Sequence, residues 1–144
     1  MTMDVMLQMR LLLLVLANLL FASPALADDQ PDCDNAQTQM EMTYCAGKAF
    51  EEADNTLNAL WSEVARKAKR LDGENADLYA EREVPTSFEA LRDAQRAWIE
   101  FRDRNCEYEA YEAFGGSMQP MLGSLCLEQL TIERVEHFRR YLGN

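Results

Sequence analysis

The chain has a single histidine, His137, and no closely spaced cysteine pair of the C-x-x-C kind. It has few cations: 14 Lys and Arg stand against 25 Asp and Glu, for a net charge of −11. Each shortage excludes something. With one histidine near the C-terminus, no Ser-His-Asp set is legible, and His137 reads as a surface residue rather than a general base. A carboxylate pair acting on sugars is no signal here, because so many acids supply every spacing. Without close cysteine pairs the usual structural zinc patterns are missing. An acidic chain repels phosphates, which argues against nucleic acid and leaves basic proteins as plausible partners. There is no internal repeat, no low-complexity tract and no clear strand signal. No apolar run approaches the roughly 20 residues that a membrane-spanning helix needs.

The longest apolar stretch, Leu11 to Phe21, follows Arg10 and precedes Ala25-Leu26-Ala27, an A-x-A cleavage pattern. Residues 1–27 are therefore expected to be a cleaved signal peptide, with Met1, Met6 or Met9 as the start. Cleavage removes one charge of each sign, Asp4 and Arg10, so the net charge stays at −11. Gln30-Pro31-Asp32 before Cys33 is no lipobox, so no lipid anchor is expected. Residues 28–144 have the length of one domain with a modest core. The product is expected to be exported, periplasmic or secreted.

All four cysteines lie in residues 28–144, an even number in an oxidising compartment, and this points to two disulfides. The rest reads as an all-α bundle of three main helices, antiparallel to their sequence neighbours. The first spans about 39–71, opened by the capping box Thr38-x-x-Glu41 and stopped by Asp72-Gly73. Its apolar stripe is Phe50, Ala53, Leu57, Leu60, Trp61, Val64, Ala68 and Leu71. A polar connection follows, with a short helical turn around Ala76 to Glu81. The second helix, about 87–113, is opened by Thr86-x-x-Glu89 and stopped by Gly115-Gly116. The third, about 118–142, has Ser117 as its cap and Pro120 in its first turn. Cys106 and Cys126 are equally far from Gly116, so an antiparallel hairpin brings them side by side. Cys33 and Cys45 are equally far from Gln39 and meet if the leading segment folds back. We favour the pairs Cys33–Cys45 and Cys106–Cys126, each closing a loop worth roughly 3 kcal/mol in the chain-entropy model.

Polar residues fall on the apolar faces. At about 100° per residue, Gln95, Arg102 and Glu109 share a face with Leu91 and Trp98. Arg134 and Thr131 share one with Leu127, Leu130, Phe138 and Tyr141, and Asp54 sits at the edge of the first stripe. Packing the first two helices antiparallel with Asp54 opposite Arg102 sets Asn58 near Trp98 and Trp61 near Gln95. Asp54, Asn58, Gln95, Arg102 and Arg134 are thus expected to form a structural polar network. In it the two guanidiniums face Asp54 and Glu109, and Gln95 bonds a backbone or Asn group. Buried ions must be paired, and such networks fix register more than they add stability. The competing reading is a polar cleft that binds something.

These residues carry a resemblance. Cys33 to Cys45, FEEADNTLNALW (Phe50 to Trp61), AQRAWIEFRDRNC (Ala94 to Cys106) and GGSMQPMLGSLCLEQLTIER (Gly115 to Arg134) resemble the blocks of the LprI-like lysozyme inhibitor family. The family's Asp and Leu-Asn signature falls on Asp54, Leu57 and Asn58. Its Gln-x-x-Trp-x-x-x-Arg signature falls on Gln95, Trp98 and Arg102. Its Cys-Leu-x-x-Leu-Thr-x-x-Arg signature falls on Cys126, Leu127, Leu130, Thr131 and Arg134. The resemblance implies a small, helical, disulfide-bonded envelope protein that binds and inhibits lysozyme and so protects peptidoglycan. The alternative is a non-catalytic periplasmic module for a different, basic protein. Candidate partner contacts are the loop Gly115, Gly116, Ser117 and Met118 and the acids Glu107, Glu109 and Glu112; their plainer reading is a helix connection and a solvated face. No metal and no cofactor are expected, and Met40, Met42, Met118 and Met121 read as packing or flexible contacts.

Overall fold

The computed structural model describes residues 30–143; the expected signal peptide and its cleavage site lie outside the described residues. Four helices and a single-turn 3-10 segment follow one another: α1 (Gln39–Glu74), α2 (Ala76–Arg82), α3 (Ser87–Ala110), the 3-10 turn Tyr111–Ala113 and α4 (Gln119–Leu142). Among the described residues there is no strand, and no helix is long and apolar enough to cross a membrane.

Both capping boxes form. The Thr38 hydroxyl accepts from the Glu41 N–H at 3.2 Å, and the Glu41 carboxylate accepts from the Thr38 N–H at 2.8 Å. Thr86 and Glu89 repeat this arrangement at 3.2 and 2.9 Å. Each box satisfies N–H groups that the first turn of a helix leaves open.

Several boundaries differ from the sequence reading, each for a local reason. Asp72-Gly73 does not stop α1, which runs on to Glu74. The Asp72 carboxylate instead accepts from the Phe88 N–H at 3.2 Å, tying the end of α1 to the start of α3. The cap comes later, from Asn75, whose side chain and backbone N–H both reach the Leu71 carbonyl, at 2.8 and 3.1 Å. α3 ends at Ala110, and the next three residues tighten into the 3-10 turn. Ser117 does not cap α4. The cap position is Met118, without a side-chain bond, and the Gln119 carboxamide reaches back to accept from the Gly115 N–H at 2.9 Å. Pro120 is in the first turn, where its missing N–H costs nothing. α4 closes on Gly143, whose φ of 88° is the left-handed turn that glycine adopts freely.

The long-range contacts fix the topology. Cys106–Cys126, Arg102–Thr131 and Gln95–Arg134 step in opposite directions along α3 and α4, so these helices are antiparallel. Asp72–Phe88 and Asp54–Arg102 make α1 and α3 antiparallel in the same way. Gln39–Met121, Trp61–Phe138 and Lys67–Tyr141 advance together, so α1 and α4 lie parallel. The result is an up-down-up bundle in which α4 packs against both partners, most extensively against α1.

The apolar core is made by Leu57, Val64, Val135 and Phe138, with Leu60, Trp61, Leu91, Trp98 and Leu142 packed around them. Each large buried side chain contributes about 1.5–3 kcal/mol. Val135 belongs to this core although it lay off the expected stripe of the last helix. The core occupies the half of the bundle holding the C-terminal parts of α1 and α4. A helix of 36 residues is about 54 Å long, so this core cannot hold both ends of α1. The disulfides hold the other end: Cys33–Cys45 with an S–S distance of 2.03 Å and Cys106–Cys126 with 2.00 Å. There α4 comes close to α3, where a Cβ on Gly123 would stand 3.5 Å from that of Ala110.

Candidate functional site

Arg102 joins the three long helices. It projects from α3 with its side chain only 9% exposed. One terminal nitrogen donates to Asp54 of α1 at 3.0 Å and to the Thr131 hydroxyl of α4 at 3.2 Å. Its Nε donates to Asp103 at 2.9 Å. The guanidinium also lies over the rings of Phe50 and Trp98, 5.2 Å from each centroid, a cation–π arrangement. Asp54 is steadied in turn by Asn58, which donates to its second oxygen at 2.9 Å from an otherwise exposed position. Helical periodicity placed Asp54 and Arg102 on facing stripes, but Asp103 was out of its reach because adjacent residues point to different sides of a helix.

Arg134 is held differently. Its Nε donates to Gln95 at 2.9 Å, and the guanidinium lies over Phe138 and Trp98 at 4.7 and 5.5 Å. Gln95 therefore meets a cation, not the backbone or Asn group expected of it. Glu109 was expected beside these guanidiniums. It faces solvent, accepts from Asn105 at 2.7 Å, and forms no ion pair with any described cation. With a neutral amide as its hydrogen-bond acceptor, Arg134 is pushed below the ordinary arginine value by burial. It remains charged at any physiological pH. Trp98 thus lies under two cations at once. Among the described residues, no buried side-chain nitrogen or oxygen lacks a hydrogen-bond partner.

Beside Arg102 opens a groove of about 620 Å³, whose walls include Phe50, Cys106, Glu107, Pro120 and Leu127. No histidine lines it. His137 sits elsewhere, exposed on α4 with its ring 6.3 Å from that of Phe138. The groove thus brings mixed charges and apolar walls together, with no nucleophile–imidazole pair for acyl transfer.

The expected contact residues do not form one patch. Gly115, Gly116, Ser117 and Met118 are all exposed at the α3–α4 turn, with Gly115 at a φ of 75°. Glu107 lines the groove and pairs with Arg104 at 3.3 Å. Glu109 and Glu112 line a separate depression together with Leu122, Leu125, Cys126 and Gln129. Sequence reasoning also passed over the edge-to-face pair Tyr111–Phe114, 5.3 Å apart and exposed next to the turn. Its signal was present: two aromatic residues three apart in a polar segment just ahead of a Gly-Gly turn.

The family model described as "Lysozyme inhibitor LprI" matches residues 32–138. An uncharacterized protein of Rhizobium meliloti (strain 1021) is 40% identical over 113 residues, covering 78% of this chain and 80% of the relative. No solved structure matches the chain.

Proposed function

The chain belongs to the lysozyme inhibitor LprI family, and on that premise we propose that it is an exported envelope protein that binds lysozyme without catalysing a reaction. By occluding the enzyme's cleft it protects peptidoglycan. The observation that carries this reading is the family match, which extends from the first disulfide to the last turns of α4. Charge supports it. A domain of net charge −11 is attracted over long range to a strongly basic enzyme, which speeds association and makes it sensitive to salt. The two disulfides agree with an oxidising compartment.

The test is a titration of peptidoglycan hydrolysis by a basic lysozyme against the purified, oxidised protein at low ionic strength. Inhibition should approach completion near equimolar inhibitor. Undiminished hydrolysis at tenfold excess would contradict the reading and favour an envelope module for a different basic protein.

A further inference from the structure

Three adjoining depressions, of about 230, 380 and 310 Å³, meet at Leu125 on the outward side of α4. Their apolar floor includes Leu122, Leu125, Ile132, Met42 and Met121. Leu125 is 43% exposed and Ile132 46%, so apolar side chains stand open to water where these depressions adjoin. The charged residues lining the depressions are Glu109, Glu112, Glu128 and Glu133, with no Lys or Arg among the lining residues. None of the four carboxylates pairs with a described cation; Glu109 and Glu133 accept only from the neutral amides of Asn105 and Gln129. Six acids elsewhere pair with a cation of the chain itself, among them those nearest the larger groove. Asp54 and Asp103 are bonded to Arg102, and Glu107 to Arg104. The larger groove therefore carries its own cation, whereas a basic partner meets none at Leu125.

From this anatomy we infer that the surface centred on Leu125 is where the domain docks a basic protein, its apolar floor covered by the partner and its four acids meeting the partner's Lys and Arg. The inference rests on the proposed function and names the face that performs it. An apolar centre inside a charged rim is the usual division of labour at a protein interface: the centre holds and the rim steers. Cys126 borders one depression and Cys33 and Cys45 another, so both disulfides stiffen this face before binding. Little ordering is then needed on contact, which favours affinity.

The test uses the full oxidised chain, a basic c-type lysozyme as probe, and inhibition and binding as readouts. Leu125→Arg alters the centre. Glu112→Lys with Glu133→Lys alters the rim at two exposed positions. Glu81→Lys with Glu100→Lys makes the same change in net charge at exposed positions outside the surface. The first two variants should each bind at least tenfold more weakly, and the third within about threefold of wild type. Thermal melts confirm that each variant is folded, and because all five positions are exposed, the rim pair decides the matter if Leu125→Arg fails to fold. If wild type inhibits while the centre and rim variants inhibit equally well, or if all charge variants weaken alike, this docking surface is wrong and the function stands. If wild type binds no lysozyme, the function and the docking surface fall together.

Discussion

Arg102 is the residue on which the three long helices agree. It touches Asp54 on α1, Asp103 on its own helix and Thr131 on α4, over the faces of Phe50 and Trp98. A cation placed this way is a register device, since sliding any helix by one turn breaks at least one of its bonds. Its two carboxylate partners are not equally sheltered. Asp54 is 36% exposed and Asp103 54%, while Arg102 itself is almost wholly enclosed. Arg102→Ala leaves the buried Thr131 hydroxyl without its donor and opens a void, but both acids can regain water. The expected loss of stability is about 2–4 kcal/mol, somewhat less than for breaking a fully buried pair, because both carboxylates are partly exposed. Asp54→Asn should cost only about 1–2 kcal/mol, because Asp103 and Thr131 still hold the guanidinium. Denaturant unfolding of both variants checks the order; equal and negligible losses would show that the network is not structural. This pairing could be posited from the sequence because periodicity puts Asp54 and Arg102 at the inward sides of their helices and a buried cation needs a carboxylate partner. The partner of Arg134 could not, because periodicity puts Gln95 and Glu109 on one side of α3 and does not say which level of that helix Arg134 meets. Which of Gln95 and Glu109 is buried depends on the splay of the bundle.

At the scale of elements, the starts of α1 and α3 and the end of α4 were readable in the sequence, whereas the stops of α1 and α3 and the cap of α4 were not. A capping box is a local device, complete within four residues, and both boxes formed where the sequence put them. Helix ends depend on what the chain meets next. Asp72 is drawn to the Phe88 N–H across the α1–α3 connection, and α1 passes Gly73 to end at Glu74, capped by Asn75. The α4 start is set likewise by Gln119 reaching Gly115, not by Ser117. The first cap also gives the fold a defined acid sensitivity. Backbone N–H bonds from Thr38 and Gln37 hold the Glu41 carboxyl below the ordinary range. The Asn35 side chain and the Asp34 N–H do the same for Asp32. A carboxyl lowered in the folded state contributes stability that is fully present above its unfolded value and lost as pH falls through its folded value. The turn around Cys33–Cys45 and the first turn of α1 should therefore loosen only below the normal carboxylate range. Amide exchange and carboxyl chemical shifts followed from neutral to acid pH test this. Midpoints at or above ordinary Glu and Asp values for these two residues would contradict it.

The described residues form a bundle with an apolar core at one end and covalent staples at the other. Loop closure over sequence separations of 12 and 20 residues stabilises each stapled segment by roughly 3 kcal/mol in the chain-entropy model. This stiffness extends to the face around Leu125, where acids without internal cations surround exposed apolar side chains. That face was only half legible. Leu125 and Ile132 fall off the apolar stripe of the last helix and so point outward, but which acids gather round them depends on how α1, α3 and α4 meet. Glu107 and Glu109 are two residues apart and end on different sides. Charge acts at this scale too, through steering rather than contact. The most direct measurement is the association rate of the oxidised chain with a basic lysozyme as ionic strength is raised from about 10 mM to 300 mM. The Debye length shrinks from roughly 30 Å to well under 10 Å over that range. A tenfold or greater fall in association rate, with dissociation little changed, is the expected result. No association at low salt, or a rate indifferent to salt, would contradict an acidic domain built to meet a basic enzyme.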